Sequence, residues 1–188
     1  PAGRLKQNIM ANSDIGVMYM DKEVKDSPYY NRVAGADANL RFGQYTTING
    51  FLAKSSVPGI DSDDMEGKVT FQYSDRTWQN NVSYQVIQDN FTNEMGYTPR
   101  KGVRRYNGRI WRSWRPVNSS IRQIYPHVVV DYYSDTAGNF DSKYVDYHFP
   151  ITWQSGAQME LGMNSTVEAL MKPFTLNNGK NIVPVGTY

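Results

Sequence analysis

The amino-acid sequence predicts an all-β protein, an antiparallel up-and-down meander of about ten long strands that forms a segment of a transmembrane β-barrel. From Lys68 to Leu161, apolar and polar residues alternate with a period of two. Since successive side chains of a strand point to opposite faces of a sheet, each alternating run predicts a strand with one apolar and one polar face. Several runs are about ten residues long, nearer to a tilted membrane strand than to an average globular strand.

Turn residues between the alternating runs divide the first half of the chain into hairpins. A turn is predicted at Asn12–Asp14 and another at Gly43–Gln44, with a polar loop around Pro28 between them. Val57–Gly67 is predicted to be an acidic loop. The strands predicted in this half are Arg4–Ala11, Ile15–Glu23, Asn31–Phe42, Tyr45–Ser55, Lys68–Asp75 and Trp78–Asp89.

The second half repeats this pattern after a long loop at Asn90–Gly102. Its predicted strands are Val103–Arg115, Ile121–Asp135, Lys143–Gln154 and Ala157–Glu168, separated by turn residues at Pro116–Ser120, Thr136–Ser142 and Ser155–Gly156. Asn177–Lys180 is predicted to be a further turn, and Ile182–Tyr188 the opening of another strand. Because the chain begins with Pro1 and ends within a strand pattern, residues 1–188 are expected to be one barrel segment truncated at both ends.

The composition narrows the function classes. Hydrophobic residues make up 39% of the chain, yet aromatic residues reach 13%, which argues against disorder and suits a sheet with one wet face. The chain has no Cys, so a disulfide framework and a thiolate metal site are both excluded. No apolar stretch approaches the roughly 18 residues of a membrane helix. The net charge of +2 does not predict a nucleic-acid partner.

Four segments resemble a family of bacterial proteins of unassigned function, in which a carbohydrate-binding family-9-like module precedes an outer-membrane-type β-barrel. The matching segments are Arg4–Glu23, Asn31–Phe42, Ile48–Ser55 and Asp89–Arg100, the last with the motif residues Asn90, Phe91, Glu94, Gly96, Tyr97 and Arg100. The resemblance implies that this chain is an internal slice of the barrel, located in the bacterial outer membrane and completed by the remaining strands. It implies no catalytic residue, because the family has no established reaction.

A basic stripe is the first candidate site. Arg105, Arg109 and Arg115 fall on one face of the predicted strand Val103–Arg115, opposite Tyr106 and Ile110. We expect this stripe to line a lumen and attract anionic solutes or sugar acids. The alternative is that the arginines pair with acidic residues of neighbouring strands or with lipopolysaccharide phosphates.

The tryptophans are the second candidate site. Trp78, Trp111, Trp114 and Trp153 are expected to form either an aromatic girdle at headgroup depth or a platform on which sugar rings stack. His127 and His148 each stand alone in a strand pattern, and the acidic loop does not complete a calcium-binding motif. No metal, cofactor or catalytic residue is therefore predicted.

These observations predict an outer-membrane β-barrel segment that anchors the protein and passes or captures glycan-related material, without catalysis. Its expected partners are outer-membrane lipid, lipopolysaccharide, glycans and the remaining strands of the barrel, with no nucleic acid. The alternative is a soluble all-β carbohydrate-binding or lipocalin-like module. The two differ in where the apolar side chains point: outward to lipid in a membrane barrel, and inward to a core in a soluble one.

Overall fold

The computed structural model describes residues 1–98, 100–176 and 181–188. It confirms an all-β fold, and the described residues contain no helix of the length and hydrophobicity needed to cross a membrane. The strands are β1 (Ala2–Ile9), β2 (Ser13–Glu23), β3 (Tyr30–Phe42), β4 (Thr46–Ser56), β5 (Met65–Ser74), β6 (Trp78–Ile87), β7 (Val103–Arg112), β8 (Ile121–Ile124), β9 (His127–Asp135), β10 (Phe140–Trp153), β11 (Gln158–Leu170), β12 (Phe174–Leu176), β13 (Asn181–Val183) and β14 (Gly186–Thr187).

The main sheet is an antiparallel up-and-down meander of 12 strands, as the alternation predicts. Its order is β1-β2-β3-β4-β5-β6-β7-β9-β10-β11-β14, with β8 paired to β10. From β1 to β7 and from β9 to β11, strands that follow one another in sequence are therefore neighbours in space. The strands β12 and β13 form a separate two-stranded sheet.

Two predicted strands are wrong as continuous elements, in each case because a proline interrupts the ladder. The predicted strand Ile121–Asp135 is split at Pro126 into β8 and β9, which pair with successive parts of the same edge of β10. The predicted strand Ile182–Tyr188 is split at Pro184 into β13 and β14. Proline has no N–H group to donate, which explains both breaks. The predicted turn at Asn177–Lys180 lies outside the described residues.

The strand ends define two different ends of the sheet. At the end that we call the turn end, residues 10–12, 43–45, 75–77, 113–126 and 154–157 connect the strands. At the other, the loop end, the connections are residues 24–29, 57–64, 88–102 and 136–139. Most turn-end connections are tight. The β3–β4 turn, for example, uses Gly43 at φ 60, and the Asp75 carboxylate accepts hydrogen bonds from the backbone N–H groups of Thr77 and Trp78.

Because paired residues lie on the same face, the alternation continues from strand to strand, and the whole sheet has one apolar face and one polar face. Val69, for example, pairs with Tyr84 on the apolar face, and Thr70 pairs with Ser83 on the polar face. The register is also staggered. A single row of paired residues crosses the sheet from Leu5, in the middle of β1, to Arg104, the second residue of β7.

The buried core lies on the polar face at the loop end. Its members are Val33, Ala53, Ile87, Phe91 and Val103, with Met20 and Tyr133 packed against them. All of these except Phe91 are strand residues of the polar face. Phe91 comes from the connection between β6 and β7, so this connection folds back over the sheet.

Candidate membrane belt and polar face

The apolar face carries a belt without charged side chains. On β7 this belt holds Tyr106, Gly108 and Ile110, and it is bounded by Arg104 at the loop end and Arg112 at the turn end. The eight residue steps from Arg104 to Arg112 correspond to about 26 Å at about 3.3 Å per residue. Because the strands of outer-membrane barrels tilt by about 35–45°, this length along the strand corresponds to about 20 Å along the membrane normal, most of the roughly 25 Å apolar band of such barrels.

Nothing in the described chain covers this belt. Val82, Ile110 and Tyr147 are 48%, 49% and 49% exposed, although they lie on central strands. Side chains in the interior of a soluble barrel or between two sheets would be buried. The apolar residues of the belt therefore do not enclose a core.

Charged residues border the belt at the loop end. Arg32 donates to Asp21 at 3.2 Å and to Glu23 at 2.8 Å, and its guanidinium lies 4.4 Å from the centre of the Tyr30 ring. Lys54, Arg104 and Lys143 occupy the corresponding part of the apolar face on β4, β7 and β10. Charged side chains are thus present at the loop-end rim of the belt and absent from the middle of this face.

Aromatic residues border the belt at the turn end. The Arg112 guanidinium lies 5.3 Å from the centre of the Trp78 ring, and Tyr45 and Tyr73 pack with ring centroids 6.3 Å apart. Trp153 ends β10 on the same face as Tyr147 and Ile151. Trp114 follows β7 and is half-exposed, beside the apolar residues Ile124 and Phe149. Three of the four predicted tryptophans therefore lie at this rim.

Trp111 lies on the opposite, polar face. It stacks on Tyr125 and on His127 with ring centroids 5.6 and 4.9 Å apart, and His127 stacks on His148 at 4.9 Å. His148 also contacts the carboxylates of Asp146 and Glu160. The sequence analysis treated both histidines as isolated. The alternation places them with Trp111 on one face, but only the pairing of β7, β9 and β10 brings the rings together.

The residues of the predicted basic stripe have different environments. Arg105 lies on the polar face and donates two hydrogen bonds to Asp131, at 2.7 and 2.6 Å. Arg109 lies on the same face of β7 and is exposed. Arg115 lies beyond the end of β7, and its guanidinium donates to the carbonyl of Arg76 at 3.3 Å. Arg105 is thus paired with an acid of a neighbouring strand, as the alternative interpretation expects, and the stripe is not continuous.

Other ion pairs balance the charge of the polar face. Arg4 contacts Asp37 at 2.6 Å, and Lys6 contacts Asp14 at 3.1 Å. Around them lie uncharged hydrogen-bonding residues of β4 to β7, namely Asn49, Thr70, Gln72, Asn81, Ser83 and Asn107. This face is polar and nearly balanced in charge, which suits contact with water and neutral polar solutes.

Residues 88–98, which we call the cap loop, are docked on the polar face by specific contacts. The Asn31 side chain donates to the Thr92 carbonyl at 2.8 Å and accepts from the Glu94 N–H at 3.0 Å. The Ser55 hydroxyl oxygen accepts from the Thr92 N–H at 3.0 Å. Phe91 is 1% exposed between these contacts. The sequence analysis predicted a loop here but no docking, because nothing in the alternation shows where a loop folds.

The Glu94 carboxylate fixes the far side of the cap loop. It forms an ion pair with Lys22 at 2.7 Å and accepts a hydrogen bond from the Tyr29 hydroxyl. Lys22 and Tyr29 together hold the pKa of Glu94 below its ordinary value, with a smaller contribution from Lys101. The same contact raises the pKa of Tyr29.

The acidic loop of residues 57–64 also contributes to this docking. The Ser55 N–H donates to the Asp64 carbonyl at 2.9 Å, and the Asn90 N–H donates to the Asp63 carbonyl at 2.8 Å. Within residues 1–98, 100–176 and 181–188, no group of three or more His, Cys, Asp or Glu side chains could hold a metal ion. The backbone of this loop supports the cap loop.

Comparisons of the chain with protein-family models, with curated proteins and with solved structures found no match. The resemblance to a carbohydrate-binding module followed by a barrel therefore stays a prediction. The functional argument rests on the two faces of the sheet and on the cap loop.

Proposed function

We propose that this chain forms part of the wall of a bacterial outer-membrane β-barrel, with its apolar face against hydrocarbon and its polar face toward a lumen. The uncharged belt carries this proposal. It extends over the long strands, covers most of the thickness of a membrane band when the strands tilt as in known barrels, and ends in charges at one rim and in Trp, Tyr and Arg at the other. Its role is to anchor the protein and to let polar, glycan-related material pass or bind on the inner side.

Exposure of the belt favours this function over a soluble carbohydrate-binding or lipocalin-like module. Tyr147, Phe149 and Leu161 are 49%, 44% and 60% exposed and form one part of a much larger apolar surface. Apolar patches larger than a few hundred Å² are rare on soluble monomers and mark interaction surfaces. Hydrocarbon is the partner that accepts such a surface along every strand, while lipopolysaccharide phosphates suit the arginines at its rim.

The edges of the sheet imply a further partner, namely the other strands of the barrel. Among the described residues, β1 pairs only with β2, and β11 pairs with β10 and, over two residues, with β14. Each unpaired backbone group in hydrocarbon costs several kcal/mol, so a membrane wall has no free edge. The outer edges of β1 and β11 are therefore the places where the wall is completed.

Single cysteines test this proposal directly, because the natural chain has no Cys. In the full-length protein in native membranes, Tyr106→Cys and Ile110→Cys are expected to resist a water-soluble maleimide and to react with a lipid-soluble one. The matched polar-face variants Asn107→Cys and Arg109→Cys are expected to react with the water-soluble reagent. The reverse pattern, or equal labelling at all four positions, would contradict a membrane wall and favour the soluble alternative.

A further inference from the structure

We propose that the cap loop narrows the lumen at the loop end of the barrel and sets the size limit for solutes that enter there. This inference rests on the proposed membrane wall, because only a closed wall makes the polar face a lumen. To the proposed wall it adds the position of a constriction and the residues that form it.

The cap loop lies on the inner side of the proposed wall. Phe91 packs against Val33, Ala53, Ile87 and Val103, which all belong to the polar face. The largest fully buried side chains of the described residues are Phe91, Val33, Asn31 and Ser55. The most fully buried large side chains of the described residues therefore lie where this loop meets one end of the polar face.

The length of the connection also indicates a role beyond linking two strands. β6 and β7 are neighbouring antiparallel strands, and hairpin loops between such strands usually have two to five residues. Here the connection runs from residue 88 to residue 102. The additional residues fold over the sheet, where Asn31, Ser55 and Lys22 hold them. Long loops that are held in place are often functional.

The cap loop blocks only one end of the polar face. The core beneath it extends from Met20 on β2 to Tyr133 on β9, all near the loop end. Toward the turn end, Gln79 and Arg109 stay exposed on the same face. A solute on the polar face therefore meets a narrow section at the cap loop and an open surface beyond it.

Asn31 and Asn39 provide a matched pair of variants, since both lie on the polar face of β3. Asn31 holds the cap loop, whereas Asn39 lies toward the turn end and donates to Asp14 at 3.3 Å. In the full-length protein reconstituted in planar bilayers, Asn31→Ala is expected to raise the single-channel conductance and the largest polyethylene glycol that enters the channel. Asn39→Ala is expected to leave both unchanged.

A second measurement keeps the cap loop in its docked state. Met95 lies in the cap loop and is 43% exposed, while Met10 lies in the turn between β1 and β2 and is 71% exposed. Attachment of a bulky maleimide to Met95→Cys is expected to lower the conductance, and attachment to Met10→Cys is not. The conductance of the labelled Met95→Cys protein tests the constriction even if the Asn31→Ala protein does not insert into the membrane.

Failure of the constriction and failure of the membrane wall give different results. Suppose that the cysteine-labelling pattern on β7 indicates insertion but that the conductance does not change with Asn31→Ala or with the Met95→Cys label. The proposed constriction is then wrong, and the proposed membrane wall is retained. If the single-cysteine variants of β7, with the cap loop unchanged, do not show this labelling pattern, the wall itself is wrong, and the constriction with it.

Discussion

At the scale of single residues, Asn31 shows how one amide can position a whole loop. Its carboxamide satisfies one carbonyl and one N–H of the cap loop at the same time, in a site where Asn31 is 1% exposed. A buried backbone group without a partner costs about 1–3 kcal/mol. Asn31 therefore makes the docked loop strongly preferable to an undocked one, and no hydrophobic residue of similar size could replace it.

Phe91→Ala is expected to lower the free energy of unfolding by about 3–5 kcal/mol, the usual cost of removing a buried phenyl ring. The loss arises because Phe91 fills the space between the cap loop and the polar face. Tyr97→Ala is the control, since Tyr97 belongs to the same loop but is 88% exposed. Denaturant unfolding in detergent measures both variants. Equal stability of the Phe91→Ala protein and the natural protein would contradict the described packing.

Docking of the cap loop is expected to weaken in acid. The pKa of Glu94 is held below its ordinary value by Lys22 and Tyr29, with Lys101 nearby. A carboxyl group with a lowered pKa in the folded state contributes stability above its unfolded pKa, and this contribution is lost as the pH falls through the folded value. The loss is therefore expected below about pH 4.5, the ordinary value for Glu.

Proteolysis of the cap loop as a function of pH measures this effect. Cleavage by an acid-active protease is expected to become faster below that pH in the natural protein. Glu94→Gln is expected to show fast cleavage at every pH, because the amide cannot form the ion pair with Lys22. A natural protein whose cleavage rate has no step in this pH range would contradict a role for Glu94 in docking.

At the scale of strands, the period-two alternation predicts most of the fold because each strand presents two faces of opposite polarity. The sequence predicts β3 and β6 nearly to their bounds, since glycine and aspartate mark their turns. It does not predict the break at Pro126, because residues that favour strands, such as Ile124 and Val128, lie on both sides of it. Alternation also assigns Trp111 to the polar face, but residue type alone led to its grouping with the rim tryptophans.

Gly108 offers an element-scale test of what lies against the apolar face. It is in the middle of the belt on β7, and no heavy atom lies within 4 Å of the position that a Cβ would occupy. A side chain can therefore start from this position without a steric clash at its Cβ. Gly108→Arg is expected to destabilise the inserted protein by about 2–4 kcal/mol, the cost of Arg near the midplane of a lipid-facing strand.

Gly108→Leu is the matched control, because leucine is also large but is compatible with hydrocarbon. It is expected to insert and unfold like the natural protein or to be slightly more stable. Folding into lipid vesicles, followed by denaturant titration, compares the two variants. Equal stability of both, or a more stable Gly108→Arg protein, would place this face in water.

At the scale of the whole molecule, the sequence could not predict how the strands meet, because register depends on contacts between distant residues. The staggered register from Leu5 to Arg104 is one such feature. Closing a sheet into a barrel requires strands that tilt and a register that shifts around the ring. The stacked rings of Trp111, His127 and His148 and the docked cap loop are two more features that only the assembled sheet creates.

The complete protein is expected to behave as a closed barrel in detergent. Its fully paired backbone should resist dodecyl sulfate at room temperature and unfold on boiling, so the folded and the boiled forms should migrate differently in a gel. A variant with Pro in the centre of β10, such as Val145→Pro, is expected to lose the faster-migrating form, because proline removes a ladder hydrogen bond of β10, which pairs with both β9 and β11. Identical migration of the natural protein before and after boiling would contradict closure.

The directions of the two outermost strands restrict what can complete the wall. β1 and β14, the first and last strands in the order of the sheet, both run toward the turn end, with eleven strand positions from one to the other when β8 and β9 are counted as one. A ring joined by antiparallel neighbours alone needs an even total. In the proposed barrel, the further strands that join β14 to β1, whatever chain supplies them, are therefore expected to be odd in number.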